Sequence, residues 1–165
     1  MRKMKGALLV LMIGVAVTAC GTDPAPTAGG DGMREYTSER FGVRMRIPAA
    51  WADPDPDRGA QPPSFFLLDA LAADSLERGC DESAHHKLET FGKTPAIEDI
   101  TVAGSRGCLI LPSDDQHPDQ LGQAQVIARY PSPIEVAGER YAYFVLDAHR
   151  NQIRDVVASI EFLRA

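Results

Sequence analysis

The residues best suited to bind a metal lie close together near the middle of the sequence. Cys80, Asp81 and Glu82 are followed by His85 and His86, which together offer a thiol, two carboxylates and two imidazoles. On a helix, an acidic residue four positions before a histidine shares its face, and such a pair suits zinc. Adjacent histidines point about 100° apart on a helix, however. We therefore favour a solvated polar helix face over a metal site here.

A second polar stretch, residues 113–119, combines His117 with three aspartates. It lacks the alternating acids, the central glycine and the distal glutamate of a calcium-binding loop. Prolines alternate with aspartates at 53–57, which stiffens that segment without bringing its carboxylates together. We expect surface loops at both places and no cofactor. His117 stands beside His85 and His86 only as an alternative metal ligand.

Motifs for nucleophilic catalysis are absent from the sequence. It contains no Gly-x-Ser-x-Gly elbow, no Ser-x-x-Lys pair, no His-Glu-x-x-His zinc motif and no glycine-rich phosphate loop. We therefore expect a protein that is not an enzyme.

The first 19 residues have the layout of a signal peptide. Arg2, Lys3 and Lys5 precede an apolar run from Ala7 to Val17. A membrane-spanning helix needs about 20 apolar residues, and this run is roughly half that length. We expect residues 1–19 to be removed rather than to remain as a span.

The end of that run, Val17-Thr18-Ala19-Cys20, resembles the lipobox of bacterial lipoproteins. The resemblance implies cleavage before Cys20, diacylglycerol on its sulfur and often an acyl chain such as palmitate on the new amine. Several acyl chains anchor a protein stably, because each buried methylene contributes about 0.8 kcal/mol. It also implies attachment to the cell membrane or outer membrane, with the domain facing the periplasm or the exterior. An ordinary secretory signal with a chance cysteine is the alternative.

Charge and composition separate the mature chain into two parts. Without residues 1–19 the chain carries 14 basic and 23 acidic residues, a formal charge of −9. This balance argues against nucleic acid as a partner. Residues 20–34 are mostly small and polar and predict a flexible tether behind the lipid, whereas 35–165 have the size of one globular domain.

Two cysteines remain once Cys20 is assigned to lipid. Outside the cytosol thiols tend to be oxidised, so a disulfide between Cys80 and Cys108 is the economical interpretation. A metal-binding thiol, a reactive thiol or two buried free cysteines are the alternatives.

Several segments predict strands. Residues 43–47 alternate apolar and basic types, and 100–102 and 108–111 flank a hairpin turn at 103–107. The apolar run 64–71 could form a helix or a strand, and a strand is favoured at its start. Further strands are expected at 124–130 and 141–146, the second of them central because it is apolar on both faces. Prolines at 131 and 133 suggest an edge, and residues 137–138 a turn. Tyrosines 130, 141 and 143 with Phe144 fit a core better than a ligand groove.

Two helices are expected. The first covers 82–91, with Asp81 as its N-cap and Gly92 as its end. The second follows Asp147 as its cap and carries an apolar stripe that includes Ile153, Val156 and Val157. A last short strand would hold residues 160–162. Together these elements predict an α+β sandwich.

Both ends of the domain resemble the PsbP-like superfamily. The start has Tyr36, Phe41-Gly42-Val43, Ile47-Pro48 and Trp51, and the end has 157–162 behind an amphipathic helix. The resemblance implies a central antiparallel sheet with helices packed on its faces, used as a non-catalytic binding or assembly module. We thus expect an envelope lipoprotein with a protein partner. The alternative is a small-molecule or metal-binding lipoprotein that uses the region from His85 to Asp119.

Overall fold

The computed structural model describes residues 32–53, 66–120 and 122–163. The signal peptide, Cys20, most of the tether and the 54–65 segment lie outside the described residues, so the predictions made for them stay predictions. Within the described ranges the strands are β1 (Met33–Ser38), β2 (Val43–Pro48), β3 (Phe66–Leu71), β4 (Ala96–Val102), β5 (Ser105–Leu111), β6 (Gln123–Val136), β7 (Glu139–His149) and β8 (Glu161–Phe162). The helices are α1 (Leu76–Ala84) and α2 (Ile153–Ala158), and Pro118–Gln120 form a short 3₁₀ turn.

The strands form two antiparallel sheets. The larger sheet has the order β3-β7-β6-β5-β4, and the smaller one has the order β1-β2-β8. The strand β7 lies between β3 and β6, which confirms its predicted central place. Because β8 pairs with β2, the end of the domain closes against its beginning.

The five-stranded sheet buries side chains on both of its faces. Ile127 and Val145 belong to one buried cluster, whereas Val126 and Leu146 belong to the other, as alternation along strands requires. Helix α1 covers the first face, which we call the α1 face. Helix α2 and the smaller sheet cover the second face and enclose the larger core.

The helix predicted at 82–91 is wrongly placed, since α1 ends at Ala84. Ser75 is the N-cap, and its Oγ accepts a hydrogen bond from the backbone N–H of Arg78 at 3.2 Å. Leu76, Cys80 and Ala84 are buried at a spacing of four residues, so they form the stripe that packs on the sheet. Leu88, an apolar residue inside the predicted helix, is 76% exposed.

Asp147 does not cap α2, contrary to the sequence-based expectation. The strand β7 continues through Asp147 to His149, and α2 begins at Ile153 behind Gln152, which makes no side-chain capping bond. The apolar stripe itself is confirmed, because Ile153 and Val156 are fully buried.

The hairpin predicted around 103–107 and the turn predicted at 137–138 are both present, but the first turn has two residues rather than five, because residues 105–107 belong to β5. Ala103 and Gly104 have φ values of 47° and 81°, and Ala137 and Gly138 have 53° and 85°. Two successive positive φ values are the signature of the type I′ turn, whose twist matches that of paired strands. The prolines at 131 and 133 lie in a register shift of β6 between Arg129 and Ile134, beyond the part that pairs with β5.

The α+β class is confirmed in its coarse form, a mixed but strand-rich fold. The described ranges contain only two short helices, fewer than a typical α+β sandwich has. The first described strand begins at Met33. In the described part of the chain, no helix is long and apolar enough to cross a membrane.

Candidate functional site

A cleft opens on the α1 face, between α1 and the ends of β6 and β7. Its volume is about 360 Å³, which falls in the range of small-molecule sites. Its walls come from β3, α1, the segment after α1, β6 and β7, through Leu71, Gly79, Glu82, Ser83, His86, Thr90, Phe91, Gln123, Gln125 and Asp147.

The side chain of Asp147 forms the floor of this cleft. It follows Tyr143 and Val145 on the α1 face of β7, and only 4% of it is exposed. Gln125 lies directly opposite on β6 and donates through Nε2 to both carboxylate oxygens, at 3.1 and 3.3 Å. Gln123 donates to Oδ1 at 2.9 Å. Alternation along two paired strands therefore places one carboxylate between two amides.

Burial decides the protonation behaviour of Asp147. Loss of water raises its pKa to about 6, although the hydrogen bonds from Gln123 and Gln125 lower it and the charge of Asp69 on β3 raises it further. Burial changes the pKa more than the two amide bonds do, because a neutral donor replaces only part of the hydration free energy that a carboxylate loses. The group is largely ionised at neutral pH and protonated near pH 5.

One further polar atom in the cleft is buried and unsatisfied. The Oε1 atom of Gln125 is inaccessible to solvent and has no hydrogen-bond partner among the described residues. Because the Nε2 atom of the same amide is engaged by Asp147, rotating the amide would leave the carboxylate without that donor. Gln125 is thus held with its Nε2 on the carboxylate and its Oε1 buried.

The segment that forms the far wall of the cleft is fastened to β6. Gln116 donates through Nε2 to the carbonyl oxygens of Thr90 and Gln123, at 2.9 and 3.0 Å. These bonds connect the segment after α1, the 113–119 loop and the start of β6. The wall is therefore held by side-chain bonds where no regular element supports it.

The other wall is α1, which a covalent bond ties to the sheet. Cys80 and Cys108 form the predicted disulfide between α1 and β5, and both residues are buried. Gly79 allows the close approach, because a Cβ at this position would lie 2.9 Å from Cδ2 of Leu71. Helix and sheet are thereby kept at a fixed separation beside the cleft.

The structure does not bring the candidate metal ligands together. His86 lines the cleft, but Nδ1 of His85 lies 3.1 Å from Oδ1 of Asp81, and Nδ1 of His117 lies 3.4 Å from Oδ2 of Asp119. The described residues include no group of three or more His, Cys, Asp or Glu side chains placed to hold a metal ion. Cys80 and Cys108 form a disulfide, so neither offers a thiol to a metal.

The 113–119 loop fastens a neighbouring segment. Asp115 accepts hydrogen bonds from the Ser113 hydroxyl at 2.5 Å and from the backbone N–H of Lys93 at 3.2 Å. These two bonds, the Ser113 bond first, lower the pKa of Asp115. Its carboxylate therefore serves to hold a loop.

The aromatic residues considered for a groove belong mainly to the core. Tyr130 and Phe144 pack with Phe162 at ring-centre distances of 5.3 to 6.0 Å. The Tyr130 hydroxyl donates to the Phe41 carbonyl at 3.0 Å, and burial raises its pKa. Tyr143 is buried on the opposite, α1 face, so these rings line no common groove.

Sequence reasoning missed the residue at the centre of the site. The sequence pattern favours Asp147 as the cap of the following helix and does not place it in a cleft. The available signal was the pair of glutamines at 123 and 125, which alternates with apolar residues and puts two amides on one face of a strand. Comparison with known proteins adds no family to this picture, since no family model, curated protein or solved structure matches the chain.

Proposed function

We propose that this chain is a non-catalytic binding module, held on a bacterial envelope membrane by lipid on Cys20, and that it binds a small molecule in the cleft above Asp147. The observation that carries the proposal is the buried carboxylate at the floor of the cleft, which has amides but no cation as partners among the described residues.

Such a carboxylate lowers the stability of the fold. A buried charge without an ionic partner loses hydration that neutral donors only partly replace. An asparagine oxygen in place of Oδ1 would accept the bonds of 2.9 and 3.1 Å from Gln123 and Gln125 without that cost. Arrangements that oppose stability are concentrated at functional sites, where they serve binding or chemistry.

A binding role suits the immediate surroundings of Asp147 better than catalysis. Its hydrogen-bond partners are the amides of Gln123 and Gln125, which orient the carboxylate but cannot exchange protons with it. A carboxylate that two amides hold in one orientation provides a rigid surface for recognising a ligand.

The anchoring part of the proposal rests on sequence and on the disulfide. The segment Val17-Thr18-Ala19-Cys20 supplies the lipid attachment site. The bond between Cys80 and Cys108 fits a compartment outside the cytosol, where disulfides persist. Acyl chains on Cys20 would hold the domain on the cell membrane or outer membrane, facing the periplasm or the exterior.

We also propose that the fold is PsbP-like. In support, β1 and β2 open the domain, the buried Trp51 follows β2 at a corner, and β8 returns to pair with β2. The five-stranded sheet with α1 on one face and α2 towards the other agrees with this architecture.

A partner protein is the second candidate, and one observation favours it. Leu88 is 76% exposed and lies in the segment that borders the cleft. A large exposed apolar side chain next to a recognition site suits a contact with another protein. On this version the domain assembles a complex at the membrane.

The lipid anchor is tested by metabolic labelling of the full chain in a bacterial host with radioactive palmitate. We expect label on the wild type in the membrane fraction and none on Cys20→Ser. A variant with both Cys80→Ser and Cys108→Ser is the matched control and should keep its label. Unlabelled wild-type protein, or label retained by Cys20→Ser, would show that the anchor is assigned wrongly.

The binding role is tested by amide NMR spectra of the mature protein, recorded with and without a small-molecule extract of the envelope. Shifts confined to cleft residues such as Gly79, Thr90 and Gln125 are expected. Shifts absent with the extract but present with envelope proteins, and weakened by Leu88→Ser, would favour the partner protein. The absence of any change near the cleft with either sample would contradict the binding role.

A further inference from the structure

We infer that the ligand of the cleft is a small organic cation whose ammonium, amidinium or guanidinium group binds the Asp147 carboxylate at the floor of the cleft. This inference rests on the proposed binding function and specifies its ligand class.

The charges around the cleft favour a cation. The described lining residues include the carboxylates of Asp147 and Glu82 but no lysine or arginine. Glu82 already pairs with Arg78, whose Nε lies 2.7 Å from its Oε1. Asp147 is therefore the carboxylate whose charge remains uncompensated at the floor.

One oxygen of the Asp147 carboxylate keeps capacity to accept a bond from a ligand. Oδ1 accepts bonds from both glutamines, whereas Oδ2 accepts only the longer bond of 3.3 Å from Gln125. The Oε1 atom of Gln125 accepts no bond from the described residues, but it is inaccessible to solvent and is not exposed to the cleft. An ionised carboxylate oxygen repels anions and suits a positively charged N–H donor.

The rest of the cleft limits the body of the ligand. Leu71 and Phe91 supply apolar wall, and Thr90 and Ser83 lie at its polar parts. A volume of about 360 Å³ admits a compact molecule rather than a folded partner. An alkyl or aromatic amine would place its charge on the floor and its carbon skeleton on the wall.

The affinity for such a cation should depend on pH. The cation binds the ionised carboxylate, so protonation of Asp147 competes with it, and the affinity falls as the pH drops through about 6. The titratable side chains that share this face with Asp147 include Glu82 on α1, His86 after it, Asp69 on β3, Arg129 on β6, and Tyr143 and His149 on β7. A protonated His86 would add repulsion, so its contribution needs its own variant.

The experiment uses the mature protein in detergent and follows amide NMR shifts during titration with methylguanidinium and with butylammonium. Urea and butanol, which have related shapes without charge, are the matched neutral probes. We expect both cations to shift Gly79, Thr90 and Gln125, and both neutral probes to leave these signals in place.

The variants locate the charge that matters. Asp147→Asn should weaken cation binding at least tenfold at pH 7.5, whereas Asp99→Asn, an exposed carboxylate on β4, should leave it unchanged. Between pH 7.5 and pH 5.0 the wild type should lose about tenfold in affinity, and His86→Gln should retain most of that loss.

The outcomes separate this inference from the function on which it rests. If the envelope extract shifts the cleft signals but neither cation does, the ligand class is wrong and the binding function stands. Equal binding of butylammonium and butanol, or full cation affinity in Asp147→Asn, would also overturn the inference. If no sample shifts the cleft signals, both proposals fail.

Discussion

Replacing Asp147 by asparagine should stabilise the protein at neutral pH. Asparagine keeps the shape, and its oxygen in place of Oδ1 accepts the bonds of 2.9 and 3.1 Å from Gln123 and Gln125. The substitution removes a charge that burial disfavours, so the free energy of unfolding should rise.

The size of the effect follows from the pKa of Asp147, which is raised from 3.8 to about 6 in the folded protein. Between about pH 4 and about pH 6 the Asp147 carboxyl is still protonated in the folded state but already ionised in the unfolded state. The free energy of unfolding of the wild type therefore falls as the pH rises through this range. This linkage amounts to about 3 kcal/mol at pH 7.5 and about 1 kcal/mol at pH 4.5. Asp147→Asn should be more stable than wild type by about these amounts.

Urea unfolding followed by tryptophan fluorescence measures this difference. Trp51 is the only tryptophan and is 5% exposed, so its emission should report the loss of the larger core. Asp99→Asn on β4 is the matched control, because this aspartate is exposed and should change stability by less than about 0.5 kcal/mol. An Asp147→Asn protein that is less stable at pH 7.5, or a difference that does not change with pH, would refute the reasoning.

Three other predictions concern the support of the cleft. The double substitution Cys80→Ala and Cys108→Ala removes the disulfide, which joins residues 28 positions apart. It should lower the free energy of unfolding in urea by about 3.5 kcal/mol, according to the chain-entropy relation. An unchanged unfolding midpoint would contradict a stabilising role. Ile153→Ala empties a fully buried position under α2 and should cost about 2 to 5 kcal/mol, whereas a calorimetric change below 1 kcal/mol would mean that α2 is loosely packed. Gly92→Ala places a Cβ 2.7 Å from Oδ1 of Asp115, at a backbone φ of 82°. Because this oxygen accepts the bond from the backbone N–H of Lys93, hydrogen exchange of the Lys93 amide should accelerate. Unchanged protection of that amide would show that the loop adapts.

The sequence predicted those elements whose signal is local. In β2 the alternation of Val43, Met45 and Ile47 with arginines matches its buried and exposed faces. In the turn at 137–138, Gly138 is the residue type that a positive φ favours, and the turn was predicted correctly although Ala137 also has a positive φ. The disulfide followed from counting cysteines and from the compartment that the N-terminus implies.

The sequence misled where tertiary contacts decide the structure. The helix α1 is set by Ser75 and by a buried stripe ending at Ala84, and the apolar Leu88 drew the predicted helix too far along the chain. Asp147 lies in a strand because Gln125 and Gln123 on β6 satisfy it, and no local pattern in β7 shows those partners. A buried polar site made by two strands is visible only once their register is known.

The most direct test of this account is a ¹³C NMR titration of the Asp147 side-chain carboxyl, with and without methylguanidinium. The account predicts a pKa of about 6 in the free protein, and a fall in that pKa when the cation binds, because the cation stabilises the ionised form. A pKa near 4 in the free protein would contradict the claim that Asp147 is a buried carboxylate that binds a cation. The same claim fails if the cation shifts the NMR signals of the cleft but leaves the pKa of Asp147 unchanged.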